Sequence, residues 1–195
     1  MGYVPGLPED EAMHSKFCEL IINGPRIGTL EGARVIWAIA DEQILLVSDI
    51  SPEEQRKLAH DVSICANREM NYDGGIYHYY DQPDERQRQI FLYGRASHVV
   101  AMCLIERRTT VWRCTWNCNE PTICDELPNK TAMWSVSFIW VHKQNRKKGI
   151  AYALFNEAKR VLNLSDDDIG WYTPFSEEGK SFVRRLYPTH FFVAK

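Results

Sequence analysis

The chain has 195 residues, of which 45% are hydrophobic and 25% charged, and its formal net charge at pH 7 is −3. A chain of this length can bury enough apolar surface to fold without disulfide bonds. The slightly acidic balance excludes a strongly basic surface, so we expect no direct sequence-specific nucleic-acid binding. No apolar run approaches the roughly 20 residues that span a bilayer, so we expect no membrane contact.

The first 30 residues are rich in Gly and Pro and predict an irregular lead-in that holds one helix, Glu9–Leu20. His14 and Cys18 on this helix have the spacing of half a zinc site. The upstream Cys-x-x-Cys pair that would complete the site is not in the sequence, so we expect no bound metal. Residues 1–10 lack signal-peptide character, and six cysteines are too few for a disulfide scaffold. These features favour a reducing compartment and leave cytosol and nucleus open.

Two apolar runs follow and predict a hairpin, and Ser51-Pro52-Glu53-Glu54 then predicts a helix that begins with a capping box. A second hairpin is expected to turn at Gly94-Arg95. The segment Thr109–Lys130 predicts a polar excursion whose three cysteines are free and lie in surface loops. In chain order, the predicted strands are Ala33–Ala40, Gln43–Val47, Gln89–Tyr93, His98–Glu106, Met133–Val141, Ile169–Tyr172 and His190–Ala194, and the later helices are Ser51–Met70, Ile150–Asn163 and Ser176–Tyr187.

The most informative segment is the basic loop His142–Gly149, which lies between a predicted buried strand and an amphipathic helix. The first amides of a helix have no internal acceptors and carry partial positive charge. Gly149 allows close backbone approach, Ala151 adds little bulk, and the charges of residues 146–148 attract an anion. These features are typical of a diphosphate-binding site, although a solvated basic turn has the same composition. The order of elements predicts an α/β fold, with a mixed, mostly antiparallel sheet flanked by helices.

The pattern Arg-x-x-Gly-x-Ala at residues 146–151 resembles the acetyl-CoA loop of the GNAT superfamily of N-acetyltransferases. Ser137-Phe138-Ile139-Trp140-Val141 followed by Lys147-Lys148-Gly149-Ile150-Ala151 is similar to the sister-chromatid cohesion establishment (ESCO-type) acetyltransferases. The segments 91–106 and 173–182 resemble this family as well, and residues 9–18 resemble the end of its small zinc finger. The resemblance implies two parts, a zinc-finger remnant with a linker at 1–30 and an N-acetyltransferase domain at 31–195.

The resemblance further implies acetyl transfer from acetyl-CoA to a lysine of an SMC subunit of cohesin, in the nucleus and among chromatin-associated factors. It places the catalytic serine at Ser137. The implied cofactor-binding residues are Ile139, Trp140, Val141, Lys147, Lys148, Gly149, Ile150, Ala151, Tyr152 and Ser176. Lys147 stands where the family has a second arginine, which keeps the charge and loses the bidentate fork.

The identity of the general base is open, because Pro174 stands at the position of the family's acidic residue when the segment is aligned without gaps from Gly179. The acid in this segment must then be Glu177 or Glu178, although acidic residues at a helix start also complement the helix dipole. Ser137 and Tyr172 are candidates to protonate the thiolate leaving group. Two other functions remain possible, which are acetylation of a small amine and non-catalytic chromatin binding.

Six residues outside this loop carry weaker predictions. The aromatic cluster at Tyr77, His78, Tyr79 and Tyr80 is expected either to line a substrate cleft or to pack in the core. His60 and His98 are expected to have no chemical role.

Overall fold

The computed structural model describes residues 7–28, 31–71, 77, 87–118, 120–125, 127–128 and 132–194. Its helices are α1 Pro8–Asn23, α2 Glu53–Met70, α3 Ile150–Leu162 and α4 Glu177–Leu186. Its strands are β1 Arg34–Ile39, β2 Glu42–Ser48, β3 Gln89–Arg95, β4 His98–Arg108, β5 Val111–Asn117, β6 Glu120–Ile123, β7 Met133–Val141, β8 Ile169–Tyr172 and β9 His190–Ala194. Short 3₁₀ turns lie at Lys143–Asn145 and Asp166–Asp168.

The described strands form one sheet in the order β1-β2-β3-β4-β7-β8-β9-β5-β6. The β7–β8 and β8–β9 pairs are parallel, and the other pairs are antiparallel. The predicted mixed, mostly antiparallel sheet is therefore confirmed. Strand β8 lies inside the sheet between its parallel neighbours β7 and β9, and the chain reaches it from β7 through the crossover helix α3.

Helices cover both faces of the sheet, because successive strand residues point to opposite sides and both sides are apolar here. On one face, α3 and α4 pack on a cluster that includes Phe155, Trp171 and Val183. On the other face, α2 packs on a cluster that includes Val62 and Trp140, and Leu20 of α1 lies against it. The predicted α3 stripe is confirmed, since Ile150, Leu154 and Ala158 are all buried.

The predicted polar excursion is wrong over much of its length. Residues 111–117 and 120–123 form β5 and β6, and β5 pairs with β9 from Val111↔Ala194 to Thr115↔His190. Cys114 is consequently buried, whereas Cys118 and Cys124 are exposed as predicted, and all three are free thiols. Trp116 stacks on Phe191 with 4.7 Å between ring centroids, and its Nε1 donates to the Tyr187 carbonyl at 2.7 Å.

Two local predictions are also wrong. The β3–β4 turn falls at Ala96-Ser97, both with positive φ, and Gly94 lies inside β3, where a Cβ would come within 2.3 Å of Ile27 Cδ1. Gly94 therefore permits a close approach and does not make the turn. Ser51 does not cap α2, since the N-cap is Pro52 and the Ser51 hydroxyl instead accepts from the Ser48 amide at 2.9 Å.

Helix α1 and the residues after it lie against the sheet. His142 Nε2 donates to the Ile21 carbonyl at 2.9 Å, and the Val99 amide donates to the Pro25 carbonyl at 2.8 Å. The division of the chain at residue 30 stays a prediction. In the described part of the chain, none of the helices has both the length and the apolar character needed to cross a membrane.

Candidate active site

The sheet opens between β7 and β8, and we call this opening the β7–β8 split. The two strands pair from Trp134↔Ile169 to Val136↔Trp171. Beyond that point β7 continues to Val141 beside β4 alone, while Tyr172 of β8 pairs only with Ala194 of β9. Strand backbone that has left its neighbour exposes donors and acceptors for an extended ligand. The split is therefore a place where a ligand chain can lie along β7.

Ser137 lies where the split begins. In the β4–β7 ladder, Leu104 pairs with Phe138 and Ile105 pairs with Val136, so Ser137 is the extra residue of a β-bulge. A bulge bends its strand and changes the direction of a side chain. The Ser137 hydroxyl donates to Glu106 Oε2 at 2.9 Å. The predicted catalytic serine thus lies at the mouth of the split with a carboxylate directly behind it.

Glu106 is a site residue that the sequence analysis missed. Its side chain is 6% exposed and forms an ion pair with the Arg108 guanidinium. This ion pair compensates the negative charge of the buried carboxylate. The Arg108 guanidinium carbon lies 5.1 Å from the centroid of the Tyr172 ring, on the other side of the split. A signal was present, because Glu106 is an acidic residue at the end of a strongly apolar run. Only the bulged β4–β7 register places it beside Ser137.

The N-terminus of α3 opens at the far end of the split. Gly149 is the N-cap, with φ +82° and no side-chain hydrogen bond, and no heavy atom lies within 4 Å of the position that a Cβ would occupy. The first intrahelical bond is donated by Ala153 to the Gly149 carbonyl at 3.0 Å, so the amides of residues 150–152 have no acceptor within the helix. Ile150 is buried, Ala151 is half-buried and Tyr152 is exposed. Among the described residues, no side chain beyond the immediate chain neighbours of Gly149 approaches its Cβ position.

The basic residues of the loop differ in whether their charged groups are paired with other groups of the protein. Arg146 donates through Nε to the Val141 carbonyl at 2.9 Å and forms an ion pair with Glu69 of α2 at 2.5 Å. Lys148 Nζ donates to the Gln144 carbonyl at 2.9 Å. Lys147 is exposed and has φ +61°. Arg146 therefore fixes the loop to α2 and β7, while Lys147 and Lys148 remain at the surface beside the α3 amides.

The end of β7 presents backbone to the split while its side chains are used elsewhere. Trp140 is 3% exposed and packs on the α2 face. Ile139 and Val141 are half-buried and pack on the α3 face. Any ligand along these three predicted cofactor-binding residues would contact mainly their peptide groups.

The N-terminus of α4 lies beyond Tyr172 and differs from that of α3. The Ser176 hydroxyl caps it by accepting from the Gly179 amide at 3.1 Å, which confirms the predicted cap. Glu177 is 84% exposed and forms an ion pair with Lys180 at 2.9 Å, and Glu178 is exposed. Hydrogen bonds to Glu120 and Glu177 raise the pKa of Lys180, so Lys180 stays protonated. The roles predicted for Ser176, Glu177 and Glu178 remain predictions.

A groove of about 520 Å³ adjoins the β8 side of the split. It lies between β6 and the β8–α4 connection, and its lining includes Pro121, Ile123, Tyr172 and Pro174. Pro174, which stands at the expected acidic position, therefore lines an apolar wall. The Thr173–Pro174 peptide bond is cis.

The remaining candidates lie away from the split. His14 and Cys18 face each other one turn apart on α1, with Sγ 3.7 Å from Nδ1, and the described residues hold no group of three metal-ligating side chains. The ring of Tyr77 is buried, which supports packing and not a cleft, and its carbonyl accepts from His60 Nδ1 at 2.8 Å. His98 Nδ1 donates to the Ala96 carbonyl at 3.1 Å. Residues 78–80 lie outside the described residues.

Comparison with known proteins shows which family the residues of this site resemble. Residues 130–194, which include the β7–β8 split and the α3 N-terminus, match the family model described as ESCO1/2 acetyl-transferase. The match covers the C-terminal third of the chain, and over these residues the chain is similar to the ESCO-type acetyltransferases. The ESCO-type resemblance inferred from residues 137–151 is therefore confirmed.

Two curated proteins are similar to the chain over nearly its whole length. N-acetyltransferase ESCO2 of Danio rerio is 22% identical over 211 residues, which cover 99% of this chain and 34% of that protein. N-acetyltransferase ECO1 of Candida glabrata is 23% identical over 207 residues, which cover 92% of this chain and 78% of that protein. The chain thus spans about a third of the length of the first relative.

A solved structure has the same fold. The xEco2 acetyltransferase domain bound to a K105-CoA conjugate has a TM-score of 0.68 and 21% identity, over 85% of this chain and 98% of that domain. At this identity the likeness supports the fold.

Proposed function

We propose that the chain binds acetyl-CoA and transfers the acetyl group to a lysine ε-amine of a protein. The observation that carries this proposal is the uncapped, unobstructed N-terminus of α3 next to the β7–β8 split. The diphosphate would rest on the amides of residues 150–152, where the helix dipole and Lys147 and Lys148 favour an anion. The pantetheine arm would follow the peptide groups of Ile139–Val141 into the split.

The chemistry follows from these positions. A lysine amine has a pKa near 10.4, so it must lose a proton before it attacks the thioester carbonyl. The carbon–nitrogen bond forms, the carbon–sulfur bond breaks, and a second proton reaches the departing thiolate. Backbone amides of the β7 end would stabilise the oxyanion, and Ser137 and Tyr172 lie at the split where a hydroxyl could protonate the thiolate.

We further propose that the acceptor is a lysine of an SMC subunit of cohesin and that the chain acts in the nucleus with chromatin-associated factors. The support is the match of residues 130–194 to the ESCO1/2 acetyl-transferase family model and the likeness to ESCO2 and ECO1. The groove beside Tyr172 provides an open surface next to the split, where a peptide side chain can enter. The SMC substrate is the finer part of the proposal and needs its own assay.

The test has a binding arm and a transfer arm. Calorimetry with acetyl-CoA should give saturable binding, and a recombinant cohesin SMC head domain should acquire acetyl-lysine with release of an equal amount of free thiol. Binding without transfer to any acceptor would favour a non-catalytic chromatin-binding module. Transfer to spermidine or an aminoglycoside, but not to the SMC protein, would favour a small-amine acetyltransferase. No binding at all would overturn the proposal.

The predicted catalytic residues are tested in the same assay. Ser137→Ala should lower turnover, because it removes the hydroxyl at the mouth of the split. Glu177→Ala and Glu178→Ala test the two carboxylates predicted from the sequence. If both glutamate variants keep wild-type turnover, neither side chain is the general base.

A further inference from the structure

We propose that Glu106 is the proton acceptor of the transfer reaction and that it takes the proton through the Ser137 hydroxyl. This inference rests on the proposed function and adds a carboxylate that lies outside the segment where the sequence places the base. The observations that carry it are the burial of Glu106, its hydrogen bond to Ser137 and the position of Ser137 at the β7–β8 split.

The direction of the Glu106–Ser137 hydrogen bond suits a relay. Because the carboxylate accepts the Ser137 proton, the serine oxygen is left with lone pairs that can accept from an incoming ammonium group. Before the amine attacks, one ammonium proton passes to the Ser137 oxygen while the Ser137 proton passes to Glu106 Oε2, which leaves a free amine lone pair for the thioester carbonyl. The net change is one proton moved from nitrogen to carboxylate, and the serine ends as it began.

The surroundings of Glu106 hold it in place for this role. Both of its contacts among the described residues, with Ser137 and Arg108, fall on Oε2. Arg108 lies over the Tyr172 ring, so the carboxylate is tied to both sides of the split. Its ladder partner Ser135 is buried, and the Ser135 hydroxyl has no hydrogen-bond partner in the described structure.

Other charged groups near Glu106 are already paired. Gln89 pairs with Ile105, so Arg88 occupies the next position toward Glu106 along β3. The Arg88 guanidinium forms an ion pair with Asp49 at 2.8 Å and lies 5.1 Å from the Tyr77 ring centroid. Arg108 is therefore the cation that is paired with Glu106, and Glu177 of α4 is paired with Lys180.

The shape of the pH profile separates a relay from a structural role. With Glu106 as acceptor, wild-type kcat/KM should be independent of pH over the range where the carboxylate is charged and the substrate is an ammonium ion. In Glu106→Gln only the free amine reacts, so log kcat/KM should rise with a slope near 1 up to the amine pKa of about 10.4. The loss near pH 7 should be about 10²–10⁴-fold and should shrink as the pH rises. A purely structural defect would lower the whole profile in parallel.

The experiment measures these profiles with acetyl-CoA and the cohesin SMC head domain for the wild type, Glu106→Gln, Ser137→Ala and the double variant. The relay predicts that the double variant is no slower than the slower single variant, since both changes break one path. Ser135→Ala is the matched control, a buried hydroxyl on the same strand, and should stay within about twofold of wild type. Glu106→Gln combined with Arg108→Gln removes both charges, so a fold that cannot tolerate an unpaired Arg108 is preserved.

The outcomes separate this inference from the function on which it rests. A slope near 1 in both Glu106 variants with unchanged acetyl-CoA affinity supports the relay. Either wild-type turnover or a pH profile that is lowered in parallel in these variants overturns the role of Glu106 and leaves the proposed function standing. Absence of transfer by the wild-type chain overturns the proposed function, and the relay with it.

Discussion

Two helices begin on either side of the β7–β8 split, and their N-termini are built in opposite ways. Helix α3 starts at Gly149 with no side-chain cap and with lysines at the two preceding positions. Helix α4 starts at Ser176, whose hydroxyl occupies the Gly179 amide, and has Glu177 and Glu178 in its first turn. Every helix start has amides without acceptors in the helix and the positive end of a dipole. The residues around each start therefore decide whether an anion can bind there.

This difference separates a binding end from a structural end. At α4, groups of the protein itself compensate the positive end of the helix, because the Ser176 hydroxyl caps it and the first turn holds two carboxylates. At α3 the amides of residues 150–152 are left for a ligand, and the stability that a cap would give is forgone. The predictions below change one end at a time, so each can show whether this contrast governs acetyl-CoA binding.

The largest effect is expected for Gly149→Val. A β-branched side chain at φ +82° is strained by about 1–3 kcal/mol, and relief of that strain would move the loop away from the helix start. Acetyl-CoA should therefore bind about 10- to 100-fold more weakly by calorimetry. Gly28→Val is the control, since Gly28 also has space around its Cβ position and has no left-handed φ. Unchanged affinity in Gly149→Val would remove α3 from the binding site.

A smaller effect is expected for Ala151→Glu, which places at α3 the kind of residue that α4 already has. The added carboxylate should stabilise the helix slightly through the dipole while repelling a diphosphate, so acetyl-CoA should bind roughly 3- to 10-fold more weakly at low salt. Ser181→Glu makes the same charge change on the exposed side of α4 and should leave the affinity unchanged. Equal losses in both variants would mean that only overall charge matters.

Ser176→Ala tests the start of α4 and should have the opposite result, a loss of stability without a loss of acetyl-CoA binding. Loss of the cap should lower the free energy of unfolding by about 1 kcal/mol in urea denaturation, with no change in acetyl-CoA affinity. Ser176→Asn keeps a capping acceptor and is the matched control. Weaker acetyl-CoA binding in Ser176→Ala alone would instead support the sequence-based prediction that Ser176 contacts the cofactor.

The smallest effect concerns Tyr93 of β3, away from both helix starts. Burial and its hydrogen bond to Glu42 raise the pKa of Tyr93 to about 12 from 10.0. The folded state then holds this proton more tightly than the unfolded chain. Its contribution to stability is complete below pH 10 and is lost as the pH rises toward about 12. Alkaline titration of phenolate absorbance should show a late component that disappears in Tyr93→Phe and is unaffected by acetyl-CoA.

The sequence predicted those parts of the site that depend on neighbouring residues. The apolar repeat of α3 and the glycine before it define a helix start over a few positions, and the strand at Met133–Val141 has the boundaries that its composition indicates. The fold class follows from the order of such elements. Local patterns were sufficient because each of these features is stabilised mainly within a short stretch of chain.

The failures share a dependence on distant residues. The sequence of β5 resembles that of a polar loop, and the strand forms because it pairs with β9, which lies some 80 positions later in the chain. Glu106 joins Ser137 only through a ladder with an extra residue, and a one-residue change in register moves side chains to the other face. The sequence around Gly94 indicates a turn, whereas the structure requires glycine there because the Ile27 side chain occupies the space of a Cβ. Ile27 is distant in the chain, so the local sequence does not reveal this contact.

The position of β9 between β8 and β5 has a consequence for biosynthesis. Strands β5 and β6 are translated long before β9, yet they join the sheet only through it. During synthesis the buried face of this hairpin, including Cys114 and Trp116, therefore stays without its partner until the ribosome has released residues 190–194. This interval is when a nascent chain would most need a chaperone to prevent aggregation.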